Sequence, residues 1–454
     1  MKYPRYPAYK DSGVEWIGEI PKKWEVKKLK WCLSRIESGN REIGGGNQLE
    51  DGVFSIGGEH IDWEGNLSLI NPKYISESFY HNLKSGKVKE LDILLVKDGA
   101  TIGKVVYVQE LPVKKVAINE HVFLLRANNF IFPKFLYYFL YSKIGQIQIE
   151  RNIRGAAQGG LNSSFVQRMF ITLPPINVQN NFSSFLDNEI DQLNKLIYKQ
   201  SQMIDLLKEK RQAIITHAVT KGLDPNEPMK DSGVEWIGEI PEHWMVTRLK
   251  FISCISANYG LNLSSDNYLD KGVRFIRITD INEDGTLIPD GVYISEDLTK
   301  DKVLKKGDLL FARSGSVGTS FLFDLDDSQK YSFAGYLVRF RLKMEHSPSF
   351  VYFSSQSKLF KDQIKMNSIE TTIDNFNGEK YSNLKFGLPP LDEQIQISNY
   401  IKVITYKIED LISKQQKIIE YLNEYKTSLI TQAVTGKIDV RGLTVPVESN
   451  SSEA

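Results

Sequence analysis

The sequence predicts an α+β protein: two similar mixed α/β globular domains, each followed by one long helix, with the two helices paired as a coiled coil. Three observations carry this. The chain is written twice, and each copy holds short apolar runs bounded by turn residues. Each copy also ends in a segment whose apolar positions alternate by three and four.

The repeat comes first. "KDSGVEWIGEIP" stands at 10–21 and again, unchanged, at 230–241. The same shift of 220 sets Trp24 on Trp244, Leu29 on Leu249 and "VFSIGGEHI" (53–61) on "VRFIRITDI" (273–281). "YISE" at 74–77 meets "YISE" at 293–296, and "LDILLVKDGATIG" (91–103) meets "GDLLFARSGSVG" (307–318). From there a shift of 215 holds: Pro133 falls on Pro348, Tyr137 on Tyr352, and "LPP" at 173–175 on "LPP" at 388–390. "QAIITHAVTKGLD" (212–224) falls on "TSLITQAVTGKID" (427–439). Drift in the shift marks loop insertions between fixed elements.

Within each copy, Ile93–Val96 and Leu309–Ala312 read as strands between Gly and Asp turns. A short helix is expected after Pro133 and Pro348, since proline suits the first helical turn. The Leu-Pro-Pro triplets stop what precedes them. Long helices are expected over about 178–220 and 393–435. Their seam is Leu186, Ile190, Leu193, Ile197, Ile204, Leu207, Ile214 and Ala218 in one, and Ile401, Ile408, Ile412, Ile419, Leu422, Leu429 and Ala433 in the other. Polar interruptions match as well, Gln200 with Gln415 and Arg211 with Lys426, while Thr405 replaces Ile190. Polar groups in a seam cost stability and fix register. The seam alone admits parallel or antiparallel pairing. At about 1.5 Å per residue such a helix spans roughly 60 Å, and the antiparallel form would hold two lobes in inverted orientation.

The resulting segments are a first globular domain at 1–175, a helix at 176–222, a second globular domain at 223–390, a helix at 391–438 and a disordered tail at 439–454.

Composition is that of a globular protein: of 454 residues, 41% are hydrophobic and 25% charged. The formal net charge of +1 shows no polyanion-binding bias, so a nucleic-acid reading rests on local patches. The first residues lack a signal-peptide core, "FLYYFLY" (135–141) is about the longest apolar run, and the only cysteines are Cys32 and Cys254; a cytoplasmic protein is expected.

Sequences that imitate catalytic motifs fail on spacing. "GATIGKV" (99–105) has three residues between its glycines where a phosphate loop needs four, and Val105 where Ser or Thr would bind magnesium. "NPKY" (71–74) lacks the second proline of an amino-methyltransferase motif. "GEHIDWEG" (58–65) offers Glu59, His60, Asp62 and Glu64 as metal ligands, but a strand would turn alternate members to opposite faces. A solvated strand edge is expected there, with no metal site and no catalytic residues anywhere in the chain.

These residues together carry a resemblance that covers essentially the whole chain. The "DSGVEWIGEIP" openings, "GGEHI", the "GD-LL-R-G-x-x-G" pattern, the "LPP" exits and the helices ending "ITQAVTGKID" resemble the specificity (S) subunits of type I restriction–modification systems. The resemblance implies two target recognition domains, each reading one half of a split, asymmetric site in double-stranded DNA. They are separated by spacer helices that pair antiparallel, with internal pseudo-twofold symmetry. It also implies two methyltransferase (M) subunits docked on this frame, joined by restriction/translocase (R) subunits. The subunit itself needs no cofactor; methyl donor, ATP and magnesium belong to the partners. A non-catalytic coiled-coil adaptor presenting two lobes not specific for DNA is the alternative.

Base-edge contacts carry sequence information, whereas phosphate contacts give register and affinity. Polar residues in glycine-rich loops where the copies diverge are therefore the candidate readers. In the first copy these are Arg41, Lys97, Thr101, Arg151, Arg154, Gln158 and Asn162. In the second they are Arg277, Arg313, Ser314, Ser316, Asn367, Thr371, Thr372, Asn375 and Asn377. Arginines suit phosphate or guanine, and Gln158 and Asn162 suit adenine.

Overall fold

The computed structural model describes residues 3–43, 49–155, 159–282, 285–325, 329–368 and 376–443. The chain divides into two units, Met1–Gln200 with Lys417–Ala454, and Ser201–Gln416.

In the first unit a four-stranded antiparallel sheet runs in the order Leu33–Ser38, Val122–Ala127, Ile93–Val96, Val105–Tyr107. The run Ile93–Val96 is buried at every position because both sheet faces are covered. Period-two alternation divides it. Ile93 and Leu95, with Phe123 and Leu125, enter the core that includes the long helices. Leu94 and Val96, with Val122 and Leu124, enter a second core against a three-stranded sheet of Tyr74–Ile75, Val53–Ile56 and Val116–Ile118.

The second unit repeats this plan. Its four-stranded sheet is Ser253–Tyr259, Leu337–Leu342, Leu309–Ala312, Ser320–Leu322, and its three-stranded sheet is Val292–Ile294, Val273–Ile276, Tyr331–Phe333. Leu309 and Phe311 face one core, Leu310 and Ala312 the other. Even the buried charge pair repeats: Arg126 grips Asp92 through two bonds of 2.7 Å, and Arg341 grips Asp308 at 2.6 and 2.7 Å. The helices expected after the prolines are Pro133–Tyr141 and Pro348–Gln356. Each is followed by a second helix that the sequence reading did not separate, Lys143–Glu150 and Lys358–Ser368.

The long helices are Ile176–Lys221 and Leu391–Val434. Their direction shows inside each unit. In the first unit, Thr172 donates through its hydroxyl to the Val434 carbonyl, while further along Asn194 accepts from Lys426 Nζ at 3.2 Å. In the second, Gly222 lies against Glu393, and Arg211 Nε stands 3.4 Å from Glu409. One helix ascends as the other descends, so the pairing is antiparallel.

Of the seam positions, Leu186, Leu193, Ile204, Ala218, Ile401, Ile408, Leu429 and Ala433 are buried, and Ile214 is half-buried. Ile190, Ile197, Gln200, Leu207, Ile412, Gln415, Ile419 and Leu422 are half-buried. The polar interruptions behave differently from one another. Burial draws the Lys426 ammonium below the usual lysine range, opposed by Glu64 and Asp62, and Asn194 accepts one of its protons. Gln415 keeps a buried Oε1 with no hydrogen-bond partner among the described residues. Thr405 returns its hydroxyl to the Ile401 carbonyl at 2.8 Å, which lets a polar residue occupy a buried position.

Two expectations change. The stretch 58–65 is not a strand edge: Gly58–His60 is a 3-10 turn in which His60, 1% exposed, accepts the Gly57 N–H through Nδ1 at 2.9 Å. A tight turn, not pleating, disperses its acidic residues. Among the described residues no cluster of His, Cys, Asp and Glu is placed to hold a metal. The tail expected from 439 packs before it ends, because Val440 (1% exposed) and Leu443 add apolar surface to the first unit's core. Residues 444–454 lie outside the described residues.

Candidate nucleic-acid interface

The turn after the buried strand is built alike in both units. In the first, Lys97 N–H donates to the His121 carbonyl (2.9 Å) and the Lys97 carbonyl accepts from Leu161 N–H (2.7 Å). In the second, Arg313 N–H donates to Tyr336 (2.9 Å) and the Arg313 carbonyl accepts from Phe376 N–H (2.8 Å). These four partners occupy corresponding positions under the shift of 215. A fixed backbone thus presents one cation from each unit, next to the segment that carries Asn162 or Asn377.

The chemistry around the two cations differs. Lys97 Nζ lies over the Phe123 ring at 5.2 Å and 3.9 Å from Asp98, at an open cleft of about 510 Å3 also lined by Ser38, Asn162 and Ser163. Arg313 lies over Tyr259 at 5.2 Å, with Nε buried and without an acceptor, and with no carboxylate partner among the described residues. A half-buried guanidinium on an aromatic face with unspent donors is prepared for an anion or a guanine edge.

Other expected readers are placed variously. Asn162 caps the 3-10 helix Ser163–Gln167 by accepting Ser164 N–H (3.0 Å), and Asn377 caps Gly378–Asn383 by accepting Lys380 N–H (2.9 Å). Bidentate adenine pairing needs the same side-chain oxygen, so capping competes with it. Asn367 turns its amide back to the Gln363 carbonyl at 2.7 Å. Arg151 stacks over Trp16 at 5.0 Å, away from the Lys97 cleft lining, and Arg154 is exposed on a two-residue strand. Arg41 is exposed, 3.5 Å from Glu120. Thr101 and Ser314 are half-buried, and Ser316 is exposed. Gln158, Thr371, Thr372 and Asn375 lie outside the described residues.

Arg277 is held from behind. Its Nε and Nη2 donate to Asp280 at 3.2 and 2.8 Å, and its ring neighbour is Tyr268 at 5.8 Å. Asp280 also takes Arg274 Nη1 at 2.9 Å. Burial alone would raise the Asp280 carboxyl, but the bonds from Arg277 and Arg274 hold it below the usual range. In the first unit Phe54, Gly57 and His60 occupy these three positions. The whole charged set is exchanged for an apolar and hydrogen-bonded one.

Sequence reasoning passed over one basic strip. Pro21–Trp31, "PKKWEVKKLKW", carries five lysines and one glutamate, while the corresponding "PEHWMVTRLKF" carries one lysine, one arginine and one glutamate. Lys27 lies over Phe130 at 5.3 Å and Lys30 over Trp31 at 4.6 Å; both aromatic residues are more than 60% exposed. Leu29 N–H donates to Met169 (2.8 Å), tying this strip to the segment after the Asn162-capped turn. The charge run, uncompensated in one copy only, was the available signal.

Two repeated α+β units, each presenting a cation from a turn held by corresponding backbone bonds, have the architecture expected of a two-headed nucleic-acid reader. The family comparison agrees. A model of the type I restriction modification DNA specificity domain matches residues 21–205 and 241–421. The MjaVIII specificity subunit of Methanocaldococcus jannaschii is 27% identical over 93% of this chain and 95% of its own length. The EcoKI specificity subunit of Escherichia coli is 24% identical over 78% and 76%. A chain from a study of the assembly and conformational transition of a type I R-M system superposes with TM-score 0.70 at 17% identity, covering 92% of this chain and 99% of that one. The HsdS subunit from Thermoanaerobacter tengcongensis gives 0.52, at 17% identity, over 92% and 98%. The chain belongs to the type I restriction–modification DNA specificity family, as a sequence-recognition subunit with two recognition domains. The non-DNA adaptor finds no support in these relatives.

Proposed function

We propose that each unit reads one half of a split, asymmetric site in duplex DNA, and that the chain performs no chemistry of its own. One observation carries this: the Lys97 and Arg313 turns share a backbone frame but present different cations, a lysine beside Asp98 and an arginine with no carboxylate among the described residues. One scaffold with two chemistries suits one task on two different base sequences. Arg313 and Arg277 are the favoured base readers of the second unit, and Lys97 with the Asn162 cleft those of the first. Lys27, Lys28 and Lys30 take phosphates.

The long helices supply the frame for partners. Leu196, Ile418 and Tyr421 in the first unit and Leu206, Tyr406 and Leu411 in the second are each at least 40% exposed. Apolar helix surface of this kind suits packing by further helices. Two methyltransferase subunits are the proposed occupants, with restriction/translocase subunits joining them; methyl donor, ATP and magnesium reside there.

Arg313→Ala tests the reading. The Phe376 bond is to backbone and survives, while a bidentate arginine–guanine contact is worth about 1–3 kcal/mol. The reconstituted methyltransferase is therefore expected to accept other bases at one position of one half-site, read by methylation sequencing. An unchanged motif removes Arg313 as a reader.

The lysine strip makes a separate prediction. Changing Lys27, Lys28 and Lys30 together to alanine should leave the motif intact. The slope of log affinity against log salt should become shallower by about 3, at roughly 0.9 per lost phosphate contact. An unaltered slope means that the strip does not touch DNA.

A further inference from the structure

The twelve residues that repeat without change, 10–21 and 230–241, also repeat their burial residue for residue. Part of the identity has a local cause. Val14, Ile17 and Ile20 are buried, as are Val234, Ile237 and Ile240. Asp11 and Asp231 each accept the N–H of the glycine two residues on at 2.9 Å. Ser12 and Ser232 bond within the same turns. Gly13 and Gly18 have φ of +72° and +69°, and Gly233 and Gly238 have +68° and +67°, a region where a side chain is strained.

Folding does not account for Glu15, Trp16 and Glu19, or for Glu235, Trp236 and Glu239. All six are exposed. Glu15 and Glu235 make no hydrogen bond or ion pair among the described residues, and Trp16 and Trp236 are 36% and 43% exposed. Exposed positions tolerate substitution with little effect on stability, and the next side chains have indeed diverged, Lys22 and Lys23 against Glu242 and His243. The indoles also accept cations from positions that do not correspond: Arg151 at 5.0 Å in one unit and Lys385 at 5.8 Å in the other. An indole bordered by glutamates is complementary to a basic protein surface and repels DNA.

We infer that the surface of Glu15, Trp16 and Glu19, and its copy Glu235, Trp236 and Glu239, docks the same basic protein partner twice, once on each unit. Exposed identity in units whose DNA-reading turns differ requires a partner that is itself the same in both places. On the functional reading above, the partner present in two copies is the methyltransferase subunit, so the inference rests on that reading.

The test is native mass spectrometry of the chain co-expressed with the methyltransferase subunit of its own system. The unaltered chain should carry two copies. Trp16→Ala or Trp236→Ala should leave one, and the double variant none, with each lost site at least about 30-fold weaker, as expected of an aromatic hot spot. Glu15→Arg and Glu235→Arg, fully on the surface, should act in the same direction with an unchanged melting temperature, which separates docking from folding. A double variant of either kind that still carries two copies at the original affinity overturns the docking surface. An unaltered chain that binds no methyltransferase overturns the functional reading, and this inference with it.

Discussion

A chain ended after Lys426 is expected to lose the fold of its first unit and keep that of its second. The first unit is closed by residues from the far end of the sequence: Leu429, Ile430, Ala433, Val434, Ile438 and Val440 are all at most 3% exposed, in the same core as Trp24, Phe135 and Phe182. The corresponding place in the second unit is filled by Ile215, Ala218 and Val219, which precede it directly. Burying an aliphatic side chain is worth about 1.5–3 kcal/mol, so losing five large ones removes on the order of 10 kcal/mol. That matches the whole stability of a domain, about 5–15 kcal/mol. Trp24 loses part of its surroundings too, since the removed Gly436 packs against its ring and against Pro21. Hydrogen exchange read by mass spectrometry distinguishes the units. Strands Ile93–Val96 and Val122–Ala127 should exchange freely in the shortened chain, while Leu309–Ala312 and Leu337–Leu342 stay protected. Protection retained in the first pair refutes the prediction.

The second large effect is Asp280→Ala, expected to cost about 3–5 kcal/mol in the second unit, the range for removing one partner of a buried ion pair. Arg274 is 3% exposed, and its guanidinium would lose the one carboxylate that pairs with it among the described residues; Arg277 would lose its support. The sign with pH follows from the depressed carboxyl. Stability from Asp280 is present above its unfolded-state pKa and is lost as pH falls through the lower folded value. Acid titration of Asp280→Ala should therefore show a shallower loss of second-unit stability than the unaltered chain. Equal acid sensitivity would show that Asp280 is not a source of it. The first unit makes an internal control, because His60 stands at the corresponding turn.

Much of the fold was legible because it is periodic. The seam from Leu186 to Ala218 could be found because a helix repeats its faces every few residues. Ile93–Val96 read as a strand because it is a short apolar run bounded by turn residues. The Pro133 and Pro348 helix starts follow from the fixed proline φ. The candidate site was legible to a lesser extent. Lys97 and Arg313 stood out as cations after buried strands, but Asn162 was assigned to adenine although it opens a short helical turn, where asparagine favours capping, as Asn377 also does. His60 looked available to a metal because its sequence neighbours are acidic, and nothing local shows that its ring is spent on Gly57 N–H.

The sequence by itself determined that there are two copies of one unit, that each ends in a long helix with a narrow apolar seam, and that Ile93–Val96 and Leu309–Ala312 are strands. Each is a property of spacing along the chain. Only the tertiary structure decided that the helices run antiparallel, that the first unit is completed by Leu429–Val440, and which polar side chains keep free donors. Those outcomes depend on partners far along the chain: Val434 for Thr172 and Lys426 for Asn194, each more than two hundred residues away, and Tyr259 for Arg313 in a different strand. A seam of threes and fours satisfies either direction equally well; contacts between distant segments select one.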